Sequence, residues 1–247
     1  MEKTSRVEER EDSVVAAFAA TMPARYRGRF GWREIRQHAW VVSNRGQHSA
    51  NVGLFDTTES DGPALCVAAR DAPGVLAAIC ASLVVEGYDV MQAEAFTRKT
   101  PSGEDEAVDL FWVRREIATE RTLLTHEDAR GVLATLVPLL RGEVGVRTRK
   151  RHQLPTPAAA ETSVRFLEPV GERHLTLELC TNDRTGLLLA VTAAMLSERI
   201  QILASRITTT GSRVNDSFDL VEADGSPISR ERLPAIQLAV MAAVDGY

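Results

Sequence analysis

The amino-acid sequence predicts an α+β fold, and two observations lead to that class. An offset of 112 positions aligns two segments of the chain, so that Asp71 meets Asp183 and Gly74 meets Gly186. Within each segment, the spacing of apolar residues alternates between that of a strand and that of a helix, in the order β-α-β-β-α-β. Such units fold as ferredoxin-like sandwiches, in which two helices cover one face of an antiparallel sheet. We therefore expect two ferredoxin-like βαββαβ domains in tandem.

The first copy carries a signal for every element of this order. Its strands are predicted at 64–68, 90–98, 107–114 and 144–148, and its helices at 75–86 and 125–140. Gly87 follows the first helix, where a helix end favours glycine. Thr125 and Asp128 have the spacing of a capping arrangement at the start of the second helix. A metal site that includes His126 is the alternative, and the capping spacing disfavours it.

The second copy repeats the order but ends early. Its strands are predicted at 175–180, 201–209 and 214–222, and its helices at 185–199 and from about 229 onward. No residues remain for a final strand, so the apolar run at 164–167 is expected to fill that edge of the sheet. The equivalent run at 52–55 precedes the first copy, and each repeat is therefore expected to carry an extra leading strand.

Local composition divides the chain into four parts. We expect a helical N-terminal segment at 1–47, a first domain at 48–152, a linker at 153–162 and a second domain at 163–247. Apolar residues at helical spacing, interrupted at Pro23, indicate the first part. Two prolines and a triple alanine indicate the linker.

The composition excludes several classes of protein. With 44% hydrophobic and 26% charged residues among 247, the chain is typical of globular proteins. A net charge of −5 argues against a nucleic-acid-binding function. No apolar run is long enough to span a membrane, and the polar N-terminus lacks the apolar region of a signal peptide. Cys66, Cys80 and Cys180 lie inside apolar runs, which indicates buried free thiols, so we expect a cytoplasmic protein.

Two strand-to-helix loops carry the candidate binding residues. The first N–H groups of a helix are unpaired, and with the helix dipole they favour an anion such as an α-carboxylate. Glycine in such a loop lets a ligand approach the backbone, and aspartate accepts hydrogen bonds from an ammonium group. The predicted ligand-binding residues are Asp71, Gly74, Val75 and Leu76 in the first copy, and Asn182, Asp183, Gly186 and Leu187 in the second. The alternative is that each loop is an ordinary helix cap and turn.

No arrangement of residues in the sequence predicts catalysis. The five histidines lack the paired spacing of zinc sites, and no nucleophile, base and acid form a convincing set. We therefore expect no catalytic residues, no metal site and no cofactor.

The loop of the first copy points to a known family. Asp71-Ala72-Pro73-Gly74-Val75-Leu76 has the Asp-x-Pro-Gly-x-Leu pattern of ACT domains, and the second copy resembles it with Thr185 in place of proline. The stretches 162–167, 174–189 and 206–209 resemble the C-terminal ACT copy of the bifunctional PII uridylyltransferase/uridylyl-removing enzymes. The segment 22–26 is similar to the region that precedes the ACT pair in those enzymes.

This resemblance implies a regulatory function. ACT domains usually bind amino acids between paired copies, and the resembled enzymes use theirs to read nitrogen status, which makes glutamine the first ligand to expect. The sequence lacks the metal-binding motifs of their catalytic domains, so the chain is expected to be a sensor rather than an enzyme. A homodimer through the sheets and a regulatory protein partner are expected, with no nucleic-acid or membrane partner. Two alternatives stay open: a uridylyltransferase-family protein or fragment without its catalytic domains, and a dimerisation module that binds no ligand.

Overall fold

The computed structural model describes residues 2–115, 123–146 and 162–245, with side chains from residue 12 onward. Its helices are α1 (Glu2–Thr21), α2 (Ala24–Arg27), α3 (Trp32–Arg45), α4 (Val75–Val85), α5 (His126–Leu140), α6 (Leu187–Ser197) and α7 (Leu233–Asp245). Its strands are β1 (Ala50–Phe55), β2 (Ala64–Arg70), β3 (Tyr88–Lys99), β4 (Asp105–Arg115), β5 (Ser163–Leu167), β6 (Leu175–Asn182), β7 (Ile200–Thr210) and β8 (Arg213–Glu222). Helices account for 38% and strands for 33% of the structure, which confirms the predicted α+β class.

The described strands form one antiparallel sheet in the order β1-β2-β4-β3-β7-β8-β6-β5. The first copy supplies one half of the sheet and the second copy the other, and the halves join through β3 and β7. In this central pairing Glu94 lies opposite Arg206, its own counterpart at the offset of 112. An approximate twofold axis therefore passes between these two residues and relates the copies.

The leading strands form the outer edges of the sheet. β1 pairs antiparallel with β2, and β5 pairs antiparallel with β6, as predicted for 164–167. The predicted final strand of the first copy at 144–148 is wrong over 144–146, where the chain forms no strand, and 147–148 lie outside the described residues. Because β1 already occupies the position beside β2, the final strand has no place there.

Helices α4 to α7 cover one face of the sheet. Their apolar side chains and that face form a core that continues through both copies, and α4 packs against α6 near the twofold axis. Nine of the eleven residues of α4 are buried, which explains why this helix is apolar on all sides. The packing of α4 on α6 brings the two candidate loops close to the opposite copy.

The N-terminal helices cover the other face of the first copy. Phe18 of α1 and Tyr26 of α2 join Phe55 and Phe96 of the sheet in a second apolar cluster. The Tyr26 hydroxyl lies 2.7 Å from Nδ1 of the buried His38 on α3. The first copy is therefore a three-layer structure, with its sheet between two layers of helices.

Three local predictions concern the thiols, a helix cap and the linker. Cys66 and Cys80 are buried, Cys180 is half-buried, and all three are free. At the start of α5 the Thr125 hydroxyl accepts a hydrogen bond from the Asp128 N–H, and the Asp128 carboxylate accepts one from the Thr125 N–H, which confirms the cap. The predicted linker at 153–162 lies outside the described residues except for its last position.

No described helix is both long and apolar enough to cross a membrane.

Candidate functional site

The two predicted loops lie at opposite ends of the central strand pair. Loop 71–74 joins β2 to α4, and loop 183–186 joins β6 to α6. Gly74 has φ +90° and Gly186 has φ +74°, a left-handed backbone that glycine adopts without strain. The similar backbone places the aspartate of each loop at the start of a cleft between the copies.

The first cleft lies between loop 71–74 and the second copy. Its walls are α4, β3 and β4 of the first copy, and α6 and β7 of the second. All four residues predicted for this copy line it, together with these further residues of the two copies: Thr97, Asp109, Thr192, Leu196, Ile200 and Ile202. The structure thus brings the predicted residues together at the junction of the repeats.

The second cleft is the twofold counterpart of the first. It is lined by Asp183, Gly186 and Leu187 of the second copy, as predicted. The first copy contributes the residues that correspond by repeat to the far wall of the first cleft, namely Cys80, Val84, Tyr88 and Val90. Asn182 is the last residue of β6, pairs with Arg213 in the sheet, and is absent from the described lining of this cleft.

A buried aspartate in each cleft was missing from the predicted set. Asp109 on β4 accepts a hydrogen bond from the Phe96 N–H at 3.3 Å, and Asp216 on β8 accepts one from the Thr208 N–H at the same distance. Both side chains are at least 95% buried. An offset of 107, rather than 112, aligns these two aspartates, because the hairpin of the second copy is shorter. That second offset is the signal that would have revealed them.

The paired acids shift each other's protonation. Burial, reinforced by the charge of Asp183, raises the pKa of Asp216 to about 8. Burial, reinforced by Asp71, raises the pKa of Asp109 well above its ordinary value. Burial likewise raises the pKa of Asp71 and of Asp183. Each cleft therefore contains a loop carboxyl group and a strand carboxyl group that resist being charged together.

The first cleft is closed by its own side chains. The Thr97 hydroxyl lies 2.7 Å from Oδ2 of Asp71. The side chain of Gln201 lies near enough to this carboxylate to favour its charged form. A Cβ atom on Gly74 would lie 2.9 Å from both methyl carbons of Leu196. The space in front of the glycine is thus filled, and the carboxylate already has partners.

The second cleft has a different charge pattern. Asp89 stands where the first cleft has Gln201, so Asp183 faces a second acid instead of an amide. The Arg114 guanidinium lies 2.8 Å from the Asp89 carboxylate and 3.5 Å from that of Asp183. Both signs of charge are therefore present at this cleft.

The space in front of Gly186 is open. No described atom lies within 4 Å of a Cβ placed on this glycine. The residue equivalent to Leu196 is Val84, whose shorter side chain does not reach the loop. Both clefts enclose only about 20 Å³, room for about one water molecule. Binding of anything larger requires the side chains at the mouth of the cleft to move.

The described residues contain no group of three or more His, Cys, Asp or Glu side chains placed to hold a metal ion.

Comparison with known proteins relates the chain to one group of bacterial enzymes. No family model matches the chain. A bifunctional uridylyltransferase/uridylyl-removing enzyme of Phenylobacterium zucineum is 29% identical over 239 residues, which cover 94% of this chain and 25% of the enzyme. Enzymes of the same name from Xanthomonas euvesicatoria and Rhodospirillum rubrum are 27% and 28% identical over 76% and 72% of the chain. The chain is homologous to a region of these enzymes.

The homology is regional. The chain spans between 19% and 25% of the length of these three uridylyltransferase/uridylyl-removing enzymes. Among solved structures, an unknown protein from Galdieria sulphuraria was matched at 13% sequence identity. The aligned region covers 74% of this chain and 90% of the Galdieria chain. Its TM-score of 0.24 is too low to indicate a common fold.

Proposed function

We propose that this chain is a cytoplasmic regulatory module that senses an amino acid in the second cleft, with glutamine as the first ligand to test. The observation that carries the proposal is the meeting of three features in one place. Three carboxyl groups (Asp89, Asp183 and Asp216), the guanidinium group of Arg114 and the start of α6 lie together at the junction of the two copies. An amino acid carries an ammonium group and a carboxylate, so its binding site requires groups of both charges, as this cleft has.

The ammonium group of the ligand would lie between Asp183 and Asp216. A positive charge there relieves the repulsion between the two acids, and it favours the ionised form of Asp216. The ligand carboxylate would receive hydrogen bonds from the Leu188 and Leu189 N–H groups in the first turn of α6, because the Leu187 N–H already donates to the Arg184 carbonyl. Arg114 would add positive charge. Gly186 leaves these N–H groups accessible, because it carries no side chain.

The second cleft suits this function better than the first. In the first cleft Leu196 covers Gly74, Thr97 donates a hydrogen bond to the Asp71 carboxylate, and Gln201 lies beside that carboxylate. A ligand would have to displace all three contacts. In the second cleft Val84 is shorter and the space in front of Gly186 is open.

The ligand acts by changing the packing of the two copies. Although the space in front of Gly186 is open, the whole cleft encloses only about 20 Å³. Binding of an amino acid would therefore separate the walls that α4 and β3 of one copy form with loop 183–186 of the other. A ligand shifts such an equilibrium only by its difference in affinity for the closed and open packing. The open packing would be the signal that a regulatory protein partner reads.

The regional homology supports a second candidate. The chain would then be a piece of a uridylyltransferase-family protein that lacks the catalytic domains, and its sensing function would serve an enzyme elsewhere. Neither candidate predicts catalysis by this chain, and a uridylylation assay with UTP, Mg²⁺ and PII protein tests that expectation. Turnover by this chain alone would contradict a purely regulatory role.

The proposal is tested by thermal unfolding in the presence of each of the twenty amino acids. A ligand at about 100 times its Kd adds about 2.7 kcal/mol to the native state, which raises the midpoint of a protein this size by about 5–10 °C. We expect such a rise with glutamine or one close relative. Asp183→Asn should abolish it, and the matched variant Asp56→Asn, with an exposed carboxylate outside both clefts, should retain it. A flat response of the wild type across the panel would contradict the proposal.

A further inference from the structure

A third cavity lies between the N-terminal helices and the first copy. Its volume is about 790 Å³, within the usual range of small-molecule sites. The walls come from α1, α3, the hairpin between β3 and β4, and the end of α5. Apolar side chains line part of it, namely those of Val14, Phe18, Val42 and Leu140.

The charged lining of this cavity is opposite in sign to the chain as a whole. The arginines are Arg45, Arg70, Arg98 and Arg141, and the acids are Glu104 and Glu106. Among the residues that the structure describes, the lining thus carries two more positive than negative charges, whereas the whole chain carries −5. The exposed Glu143 lies 3.8 Å from Arg141, a pair that water screens.

Part of this positive charge is buried. Nε of Arg45 lies 2.5 Å from one carboxylate oxygen of Glu106, and Nε of Arg98 lies 2.7 Å from the other. The side chains of these residues are only 13%, 9% and 2% exposed. One carboxylate cannot neutralise two guanidinium groups, and a buried surplus charge is unfavourable without a counter-charge. The cavity beside them is where a counter-charge has access.

We infer that this cavity binds a small molecule that carries a phosphate group, with its organic part on the apolar wall. A phosphate monoester carries about −1.5 to −2 charge at pH 7, which matches the surplus of the lining. Guanidinium groups bind phosphate oxygens through paired hydrogen bonds. The bound phosphate would contact Arg45 on α3, Arg98 on β3 and Arg70 at the end of β2, and it would hold the N-terminal helices to the sheet. This site is separate from the second cleft and does not depend on the proposed amino-acid function.

Isothermal titration calorimetry with phenyl phosphate tests the inference on the full chain. Inorganic phosphate and benzoate serve as comparison ligands, the first without an apolar part and the second with a single carboxylate. We expect phenyl phosphate to bind at least tenfold more tightly than either. Arg70→Gln, at a position 70% exposed, should weaken this binding at least fivefold without unfolding the protein.

The matched control is Arg33→Gln, which removes an arginine outside the cavity whose side chain is 81% exposed. It should leave phenyl phosphate binding unchanged, as should Asp183→Asn in the second cleft. The inference is overturned if phenyl phosphate gives no binding heat beyond that of sodium chloride at equal ionic strength. Equal binding of benzoate, or equal weakening by Arg33→Gln, would overturn it as well. None of these outcomes bears on the amino-acid response, which is measured separately.

Discussion

At the scale of single residues, the two loop glycines share a left-handed backbone, but only Gly74 is tightly packed against a neighbouring side chain. Gly74→Ala and Gly186→Ala each place a Cβ on a left-handed backbone, which costs about 1–2 kcal/mol. Only at Gly74 does this Cβ also collide with Leu196, at 2.9 Å. We therefore expect Gly74→Ala to lower the free energy of unfolding more than Gly186→Ala does. Urea denaturation measures both, and equal losses would show that Leu196 does not close the first cleft.

The buried Asp216 makes the free energy of unfolding depend on pH, and its burial determines the direction of that dependence. Its pKa rises from 3.8 to about 8 in the native state, so between these values the native state holds a proton that the unfolded chain has released. The free energy of unfolding therefore falls as pH rises through this window, by at most about 1.4 kcal/mol per pH unit from this group. Asp216→Asn should flatten the decline, and Asp56→Asn should leave it unchanged. An unaltered slope in Asp216→Asn would contradict the assignment.

Sequence patterns predict some residues of the clefts and miss others. Asp71, Gly74, Asp183 and Gly186 were predictable, because the turn must contain them and the repeat doubles the signal. Asp216 is harder to predict, because an acid within a strand normally indicates a face exposed to solvent, and only the second offset of 107 pairs it with Asp109. Its burial results from the docking of the other copy, which no local pattern encodes.

At the scale of secondary-structure elements, the cap of α5 offers a simple test of how much a capping residue stabilises a helix. Thr125 and Asp128 bind each other's backbone N–H groups at the helix start. Thr125→Ala removes the acceptor for the Asp128 N–H and should cost about 1 kcal/mol of stability. Thr125→Ser keeps that acceptor and serves as the control in thermal unfolding. A loss as large in Thr125→Ser would mean that the threonine methyl group, not the cap, is responsible.

Strand assignment failed only where competition between segments decides it. The run at 144–148 and the run at 52–55 are both apolar enough to pair with β2. The structure gives that position to β1, which reaches it from the preceding helix and loop. Sequence patterns describe how well each segment forms a strand, but they do not state which segment occupies a shared edge.

At the scale of the whole molecule, the decisive feature is that both repeats contribute walls to each of the two clefts. β3 and β7 join the copies into one sheet, and the approximate twofold axis between them creates two clefts of similar shape. The clefts then differ in a few side chains, with Leu196 and Gln201 in one and Val84 and Asp89 in the other. As a result, Leu196 covers the loop glycine in the first cleft, whereas the loop glycine of the second cleft is uncovered. The predicted homodimer through the sheets would add to this arrangement, and it stays a prediction.

The most direct test of a site shared by two copies is a backbone amide NMR titration with glutamine, or with whichever amino acid stabilises the protein. We expect saturable shifts in loop 183–186 and in the first residues of α6. The same titration should shift Tyr88 and Val90 of the other copy, with the same dissociation constant. Shifts confined to one copy, or no shifts in loop 183–186, would contradict a binding site between the repeats.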